Sequence, residues 1–323
     1  MDGIGRGKLK KTNCNRLIGQ TYRSVAFPQK YEREKVNILI YGVINSLLLM
    51  LMALGFALAY SVSRVPNFSH GALYVLSGYL AWIFLNRLGL GYGLCIILSI
   101  AIVTVIGWLI YRLTVMRVRG MPVSEIIVTF AISLSILEFL RWWGLRGATF
   151  VLPVFSLGAV NILGVPVDLQ RVAAVGIALV IVFALWVFTH YTKIGLGLRA
   201  IAQNEHAALL LGIDSDRAAS LALSLGSALA AIAGITILPM GNINVATGYD
   251  VLVFAIAVCI CGGLGSWTGT ILAAFVIGFA QMITVYFIAP HFAMVVALAA
   301  VVLILIFKPS GLFGRQKEFE ERV

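Results

Sequence analysis

From Val36 to Phe307 the chain alternates long apolar runs with short polar breaks. The runs lie at 36–62, 70–87, 92–114, 122–143, 171–192, 217–240, 250–264, 269–288 and 291–307. Several reach the roughly 20 apolar residues that a helix needs to cross a bilayer. In hydrocarbon every backbone polar group needs an internal partner, so such runs predict α-helices. The pattern predicts an all-α, polytopic transmembrane helical bundle of about eight or nine segments, with room for one re-entrant piece. Segment 250–264 is short and ends in Gly262-Gly263, which suits a half-helix or re-entrant piece buried by protein.

The breaks differ in character. Residues 144–170 carry Pro153 and Pro166 but only two charges, Arg146 and Asp168, as suits an outer loop. Loop 112–121 holds Arg112, Arg117 and Arg119, and 193–216 holds Lys193, Arg199, Glu205, Asp214 and Asp216. Lys and Arg collect in cytoplasmic loops, so 112–121, 193–216 and the C-terminal tail 308–323 are placed inside. Residues 1–35 hold nine Lys/Arg and three acids, with no apolar stretch of signal-peptide type. They read as a disordered basic tail ahead of a membrane domain at 36–307. Three apolar runs precede Arg112. If all cross, the tail lies outside; if 66–88 is re-entrant, it lies inside.

Composition narrows the function class. Of 323 residues, 61% are hydrophobic and 11% charged, and mean hydropathy is +0.99. A soluble domain carries about 25% charged residues. A soluble enzyme, a disordered chain and a disulfide scaffold are thereby excluded. The net charge of +11 is explained by membrane topology, not by nucleic-acid binding. Cysteines at 14, 95, 259 and 261 offer no disulfide framework, and Cys259 and Cys261 read as buried thiols. No P-loop pattern, catalytic constellation or clustered metal ligands occur. Gly195-x-Gly197-x-x-Ala200 mimics a dinucleotide fingerprint, but no βαβ unit surrounds it.

Loop 193–216 is the most informative stretch. Leu198, Ile201, Ala202, Ala208, Leu209 and Leu211 fall on one face of a helix of about three turns over 198–211. Gly212 would end it and Asp214 or Asp216 would cap the next helix. Such a helix is either a knob for a partner's groove or an interfacial helix on lipid. His206-Ala207-Ala208 through Gly212 follows the E-A-A-x-x-x-G spacing of ABC importer permeases, with His at the first position and Glu205 one place earlier. The stretch from Thr192 to Arg217 resembles the branched-chain amino acid permease family. Three further motifs agree in order: Asn67-Phe68-Ser69-His70-Gly71, Gly262 through Gly269, and Lys308-Pro309-Ser310-Gly311-Leu312-Phe313-Gly314. The resemblance spans about residues 38–314 and leaves the basic tail outside.

That resemblance implies the pore subunit of an ABC importer, with no catalytic residues and no cofactor of its own. ATP and Mg would sit on two partner ATPase subunits. A second permease subunit, identical or related, would complete the channel. A binding protein would deliver branched-chain or related amino acids at 144–170 and 240–250. The ATPase-coupling residues would be Arg199, Glu205, His206, Ala207, Ala208, Gly212 and Asp214.

Other residues keep two readings each. Asn67 or Ser69 can cap a helix opening near His70 and Gly71, whose N-terminus would face substrate, or the stretch is a plain turn with a satisfied His70. Gly265 and Gly269, like Gly226 and Gly234, form small-residue seams with Gly263 nearby, read as packing rather than transport. Glu125, Glu138 and Arg141 suit interfacial pairing or a proton relay. An ion-gradient-driven secondary transporter is the alternative function. It needs embedded carboxylates, for which Glu125 and Glu138 are the sequence's offers.

Overall fold

A computed structural model describes the backbone of residues 6–145, 150–154 and 158–314, with the side chains of 34–143, 150–154 and 158–314. The helices are α1 Arg6–Ser63, α2 His70–Asn86, α3 Tyr92–Ile110, α4 Pro122–Leu140, α5 Leu169–Tyr191, α6 Lys193–Gln203, α7 Glu205–Leu210, α8 Ser215–Ile237, α9 Val245–Gly262, α10 Trp267–Phe287 and α11 Ala293–Phe307. Beyond α3 the chain continues through a π-helical turn, Tyr111–Val115. Among the described residues, eight helices are long and apolar enough to cross a membrane; α2, at 17 residues, is not among them. The all-α polytopic bundle is the observed architecture. Helical backbone reaches back to Arg6, into the stretch expected as a tail. Low hydrophobicity argues against packing, not against local helix formation. Residues 315–323 of the C-terminal tail, and Arg146, lie outside the described residues.

Hydrocarbon gives no hydrophobic push between helices, so close backbone packing holds such a bundle together. The centre is built that way. The α8 span is 72% buried and the α1 span 61%, against 6% for the span ending in α11. Gly55 of α1 and Gly226 of α8 face each other, and a Cβ added to either would lie 2.7 Å from the other's carbonyl oxygen. α11 buries only Ala297 among its residues and lines the periphery.

Two ends of the bundle can be told apart by contacts. Near the start of the first span, Tyr41 donates through Oη to Pro166 O at 2.9 Å. Past its end, Arg64 donates to Ala202 O of α6. α1 therefore runs from a hairpin end to a loop end. α2 returns, stacking Tyr79 and Trp82 beside Phe150 at the hairpin end. Exposed Trp142 and Trp143 close α4, and exposed Trp186 and Tyr191 lie near the end of α5, as aromatic belts at two interfaces.

Three expectations change. The 144–170 loop contains a hairpin, β1 Ala159–Ile162 paired antiparallel with β2 Val165–Asp168. Its turn, Leu163-Gly164, has positive φ at both residues, which suits a two-residue hairpin. Val165 and Val167 pack on Ile40 and Ile44 of α1. Next, 250–264 is no half-helix: α9 starts at Val245, where Asn244 Oδ1 accepts from Thr247 N at 2.8 Å. The broken piece is instead at α2. His70 Nε2 lies 3.0 Å from Met52 O. Met52 is eleven residues before the end of α1, or about 16 Å along its axis. So α2 begins inside the bundle, and the first apolar residues lie at the end opposite Arg112 and Arg119.

Candidate coupling site

The periodicity predicts one helix over 198–211, but two form. α6 starts at Lys193, with Thr192 Oγ1 accepting from Gly195 N at 3.0 Å. It stops at Asn204, whose backbone is extended (φ −156°, ψ 107°). Asn204 Oδ1 accepts from Ala207 N at 3.0 Å and caps α7. Asparagine favours such caps over a helix interior, because its side chain competes for backbone N–H groups.

The break reorients the apolar residues. Leu198, Ile201 and Ala208 are buried in a cluster with Tyr111 and Val115 of the π turn and Ala218, Ala219 and Ala222 of α8. Leu209 and Leu211, expected on that face, point outward with Leu210, at 47%, 79% and 90% exposure. Gly212 has φ +79°. Ile213 N donates to Ala208 O at 3.1 Å across it, the closing bond of a Schellman turn. Asp214 Oδ1 then accepts from Asp216 N at 2.9 Å and Arg217 N at 3.1 Å, capping α8. Three exposed leucines thus stand on a short tip capped on both sides. His206 and Ala207 are exposed on α7, and Arg199 is half-buried on α6.

Two arginines tie this tip to the bundle. Arg119 Nη2 donates to Glu205 Oε1 at 3.0 Å and to Ser215 Oγ, and Arg119 Nη1 pairs with Asp216 Oδ1. Ser215 Oγ donates to Glu205, and Tyr111 Oη donates to Asp216 Oδ1 at 3.2 Å. Burial acts to lower the Arg119 pKa, but the Asp216 hydrogen bond and the neighbouring charges outweigh it and hold it above the usual arginine value. The guanidinium stays charged. Arg64 is the second tie, joining α6 to the α1–α2 link. Sequence reasoning missed Arg119, Ser215 and Arg64, whose partners lie far along the chain. The displaced acid makes sense here: Glu205 turns to Arg119 while His206 faces outward.

Asn67, Ser69, His70 and Gly71 are buried and Phe68 is partly buried. Asn67 Oδ1 accepts from Ser69 N at 3.1 Å and Ser69 Oγ at 2.6 Å; Ser69 holds the N-cap position, but neither side chain accepts from a first-turn N–H of α2, so the expected side-chain cap does not form. Phe68 N donates to Thr129 Oγ1 of α4 at 3.4 Å. His70 is satisfied by Met52 O and packs edge-on to Phe56. Gly71 abuts the backbone of α9 at Gly248.

Gly226 and Gly234 pack α8 against α1 and α2. Gly265 and Gly269 do not form one helical seam: Gly265 lies in a turn before α10 with φ +83° and open space around it. Gly269 instead meets Gly262, and Gly263 meets Gly314. Leu312 N and Phe313 N donate to Cys261 O and Gly262 O at 2.9 and 3.0 Å. Two of the four motifs therefore form one junction. Cys259 and Cys261 are buried, as expected. Glu138 pairs with Arg141 at 3.3 Å, and buried Glu125 accepts from Gly120 N at 3.0 Å.

Comparison with known proteins agrees with this arrangement. The chain is 26% identical over 285 residues to the high-affinity branched-chain amino acid transport system permease protein LivH of Escherichia coli (strain K12), covering 82% of this chain and 91% of LivH. It is 26% identical over 299 residues to the high-affinity branched-chain amino acid transport system permease protein BraD of Pseudomonas aeruginosa, covering 88% and 96%. Among solved structures, PsaBC from Streptococcus pneumoniae in complex with Fab is a distant likeness, at 14% identity and TM-score 0.49 over 88% of this chain and 95% of that one. The family model described as branched-chain amino acid transport system / permease component matches residues 38–306. By that match the chain belongs to this family of multi-pass ABC transporter permease subunits.

Proposed function

We propose that this permease subunit carries branched-chain or related small amino acids into the cell across the inner membrane. An extracytoplasmic binding protein delivers them, a second permease subunit completes the pore, and two ATPase subunits holding ATP and Mg drive it. The names of LivH and BraD support the substrate class. The end bearing Arg112, Arg117, Arg119, Lys193 and Lys308 is cytoplasmic by the positive-inside rule. The C-terminus is then inside, the hairpin end faces outward, and the binding protein docks around the hairpin and the link 241–244 ahead of α9.

The observation that carries the coupling assignment is the exposed Leu209-Leu210-Leu211 tip. It ends the helix capped at Asn204 and precedes the one capped at Asp214. An apolar tip held this firmly passes on a push instead of absorbing it. ATPase closure would press on α7; Arg119 would carry the movement to the α3–α4 link and Arg64 to the start of α2. A Leu210→Cys variant should cross-link to the co-expressed ATPase through a short bismaleimide, and Leu210→Asp should abolish capture of the ATPase while leaving permease yield intact. Full ATPase capture by Leu210→Asp would sink the assignment.

A further inference from the structure

Asp250 lies within a spanning helix and on its outer side. Because α9 begins at Val245, Asp250 is six residues past the cap at Asn244, or about 9 Å along the axis. A second ruler agrees. Gly71 abuts Gly248 and Leu252, on either side of Asp250, and His70 beside it bonds Met52, at about 16 Å from the loop end of α1. Both measures place Asp250 well inside a hydrocarbon core of about 30 Å.

Asp250 is exposed, as is Ala246 one turn before it. Gly248 and Leu252 face the opposite way, onto α2 and Leu137 of α4. Among the described residues the Asp250 carboxylate makes no hydrogen bond and no ion pair. Other acids contrast with it. Glu138, Asp168, Glu205, Asp214 and Asp216 are paired near helix ends, and Glu125 is buried against Gly120 N. A carboxylate at this depth facing lipid costs at least about 3 kcal/mol, and such groups face protein or a water-filled cavity. Asp250 faces away from its own bundle, so water or a partner subunit covers this side of α9 at lower cost than lipid does.

We propose that Asp250 lines the aqueous route through the assembled importer, where α9 faces the second permease subunit, and that its carboxylate receives the ammonium group of the passing amino acid. The ammonium assignment rests on the amino-acid substrate proposed above; the aqueous location does not. One such anchor in an apolar passage binds well enough to admit cargo and weakly enough to release it.

The test uses the assembled importer with Cys14→Ser and Asp250→Cys; Cys95, Cys259 and Cys261 are buried. A cationic, membrane-impermeant methanethiosulfonate should label Asp250→Cys from water, and saturating leucine delivered by the binding protein should slow it severalfold. Labelling only by a lipid-soluble maleimide, or none, overturns the proposal. Asp250→Asn should lower leucine uptake about tenfold or more, as losing one partner of a charge pair does, and Asp250→Glu should retain most of it. Full uptake by Asp250→Asn overturns the ammonium role. If unaltered chain moves no leucine yet Asp250→Cys is labelled from water, the substrate class fails and the ammonium role with it, while the aqueous face stands.

Discussion

Arg119 is the residue that ties loop 193–216 to the bundle. Its guanidinium meets Glu205 ahead of the leucine tip and Ser215 and Asp216 behind it. Removing it leaves two carboxylates close together without their cation. Both are about half exposed, so water screens much of the effect, and the cost is about 1–2 kcal/mol. Arg119→Ala should therefore speed amide hydrogen exchange across 193–216 by about tenfold, with Arg119→Lys intermediate. Unchanged exchange would show that the loop is held by its buried Leu198, Ile201 and Ala208 alone. Little of this was legible in the sequence. Glu205 stood out only as an acid one place ahead of the motif that starts at His206, and Arg119 read only as a topology signal, because its acidic partners lie 86 to 97 positions away.

At the scale of elements, helix crossings are set by the absence of side chains. α2 meets α9 where Gly71 abuts Gly248, and an added Cβ would strike the Gly248 carbonyl. Gly71→Val should force the helices apart at a cost of about 1–3 kcal/mol or more, read as a lower melting temperature in detergent. Gly265→Ala is the control: it meets open space and pays only for its positive φ, about 1 kcal/mol. Equal effects would mean that the crossing is not tight. The apolar runs revealed nearly every helix, since hydrocarbon permits few other structures. They misjudged helix starts that depend on a polar cap. Asn244 begins α9 five residues before the apolar run, which is why Asp250 read as a boundary and not as an intramembrane charge. Asn204 divides a helix whose periodicity looked continuous. The hairpin escaped notice because one strand pair amid loop residues leaves only a short alternation around Leu163-Gly164.

For the whole molecule, the two ends carry different chemistry. One end gathers the basic loops, the leucine tip and the junction of Gly262 with Phe313. The other holds the hairpin and the aromatic contacts of Tyr79, Trp82 and Phe150. Between them, α2 starts at the depth of Met52, linked to the loop end through Arg64. A push at the tip thus has a short physical path to the interior. Four ordered motifs made the family legible from sequence, whereas this path was not, since it rests on contacts between distant segments. The most direct measurement of the central claim is leucine uptake into proteoliposomes holding this chain, its partner permease, the ATPase and the binding protein. Uptake should require ATP and the binding protein, and should vanish with Leu210→Asp. Uptake by this chain alone, driven by a proton or sodium gradient without ATP, would contradict it.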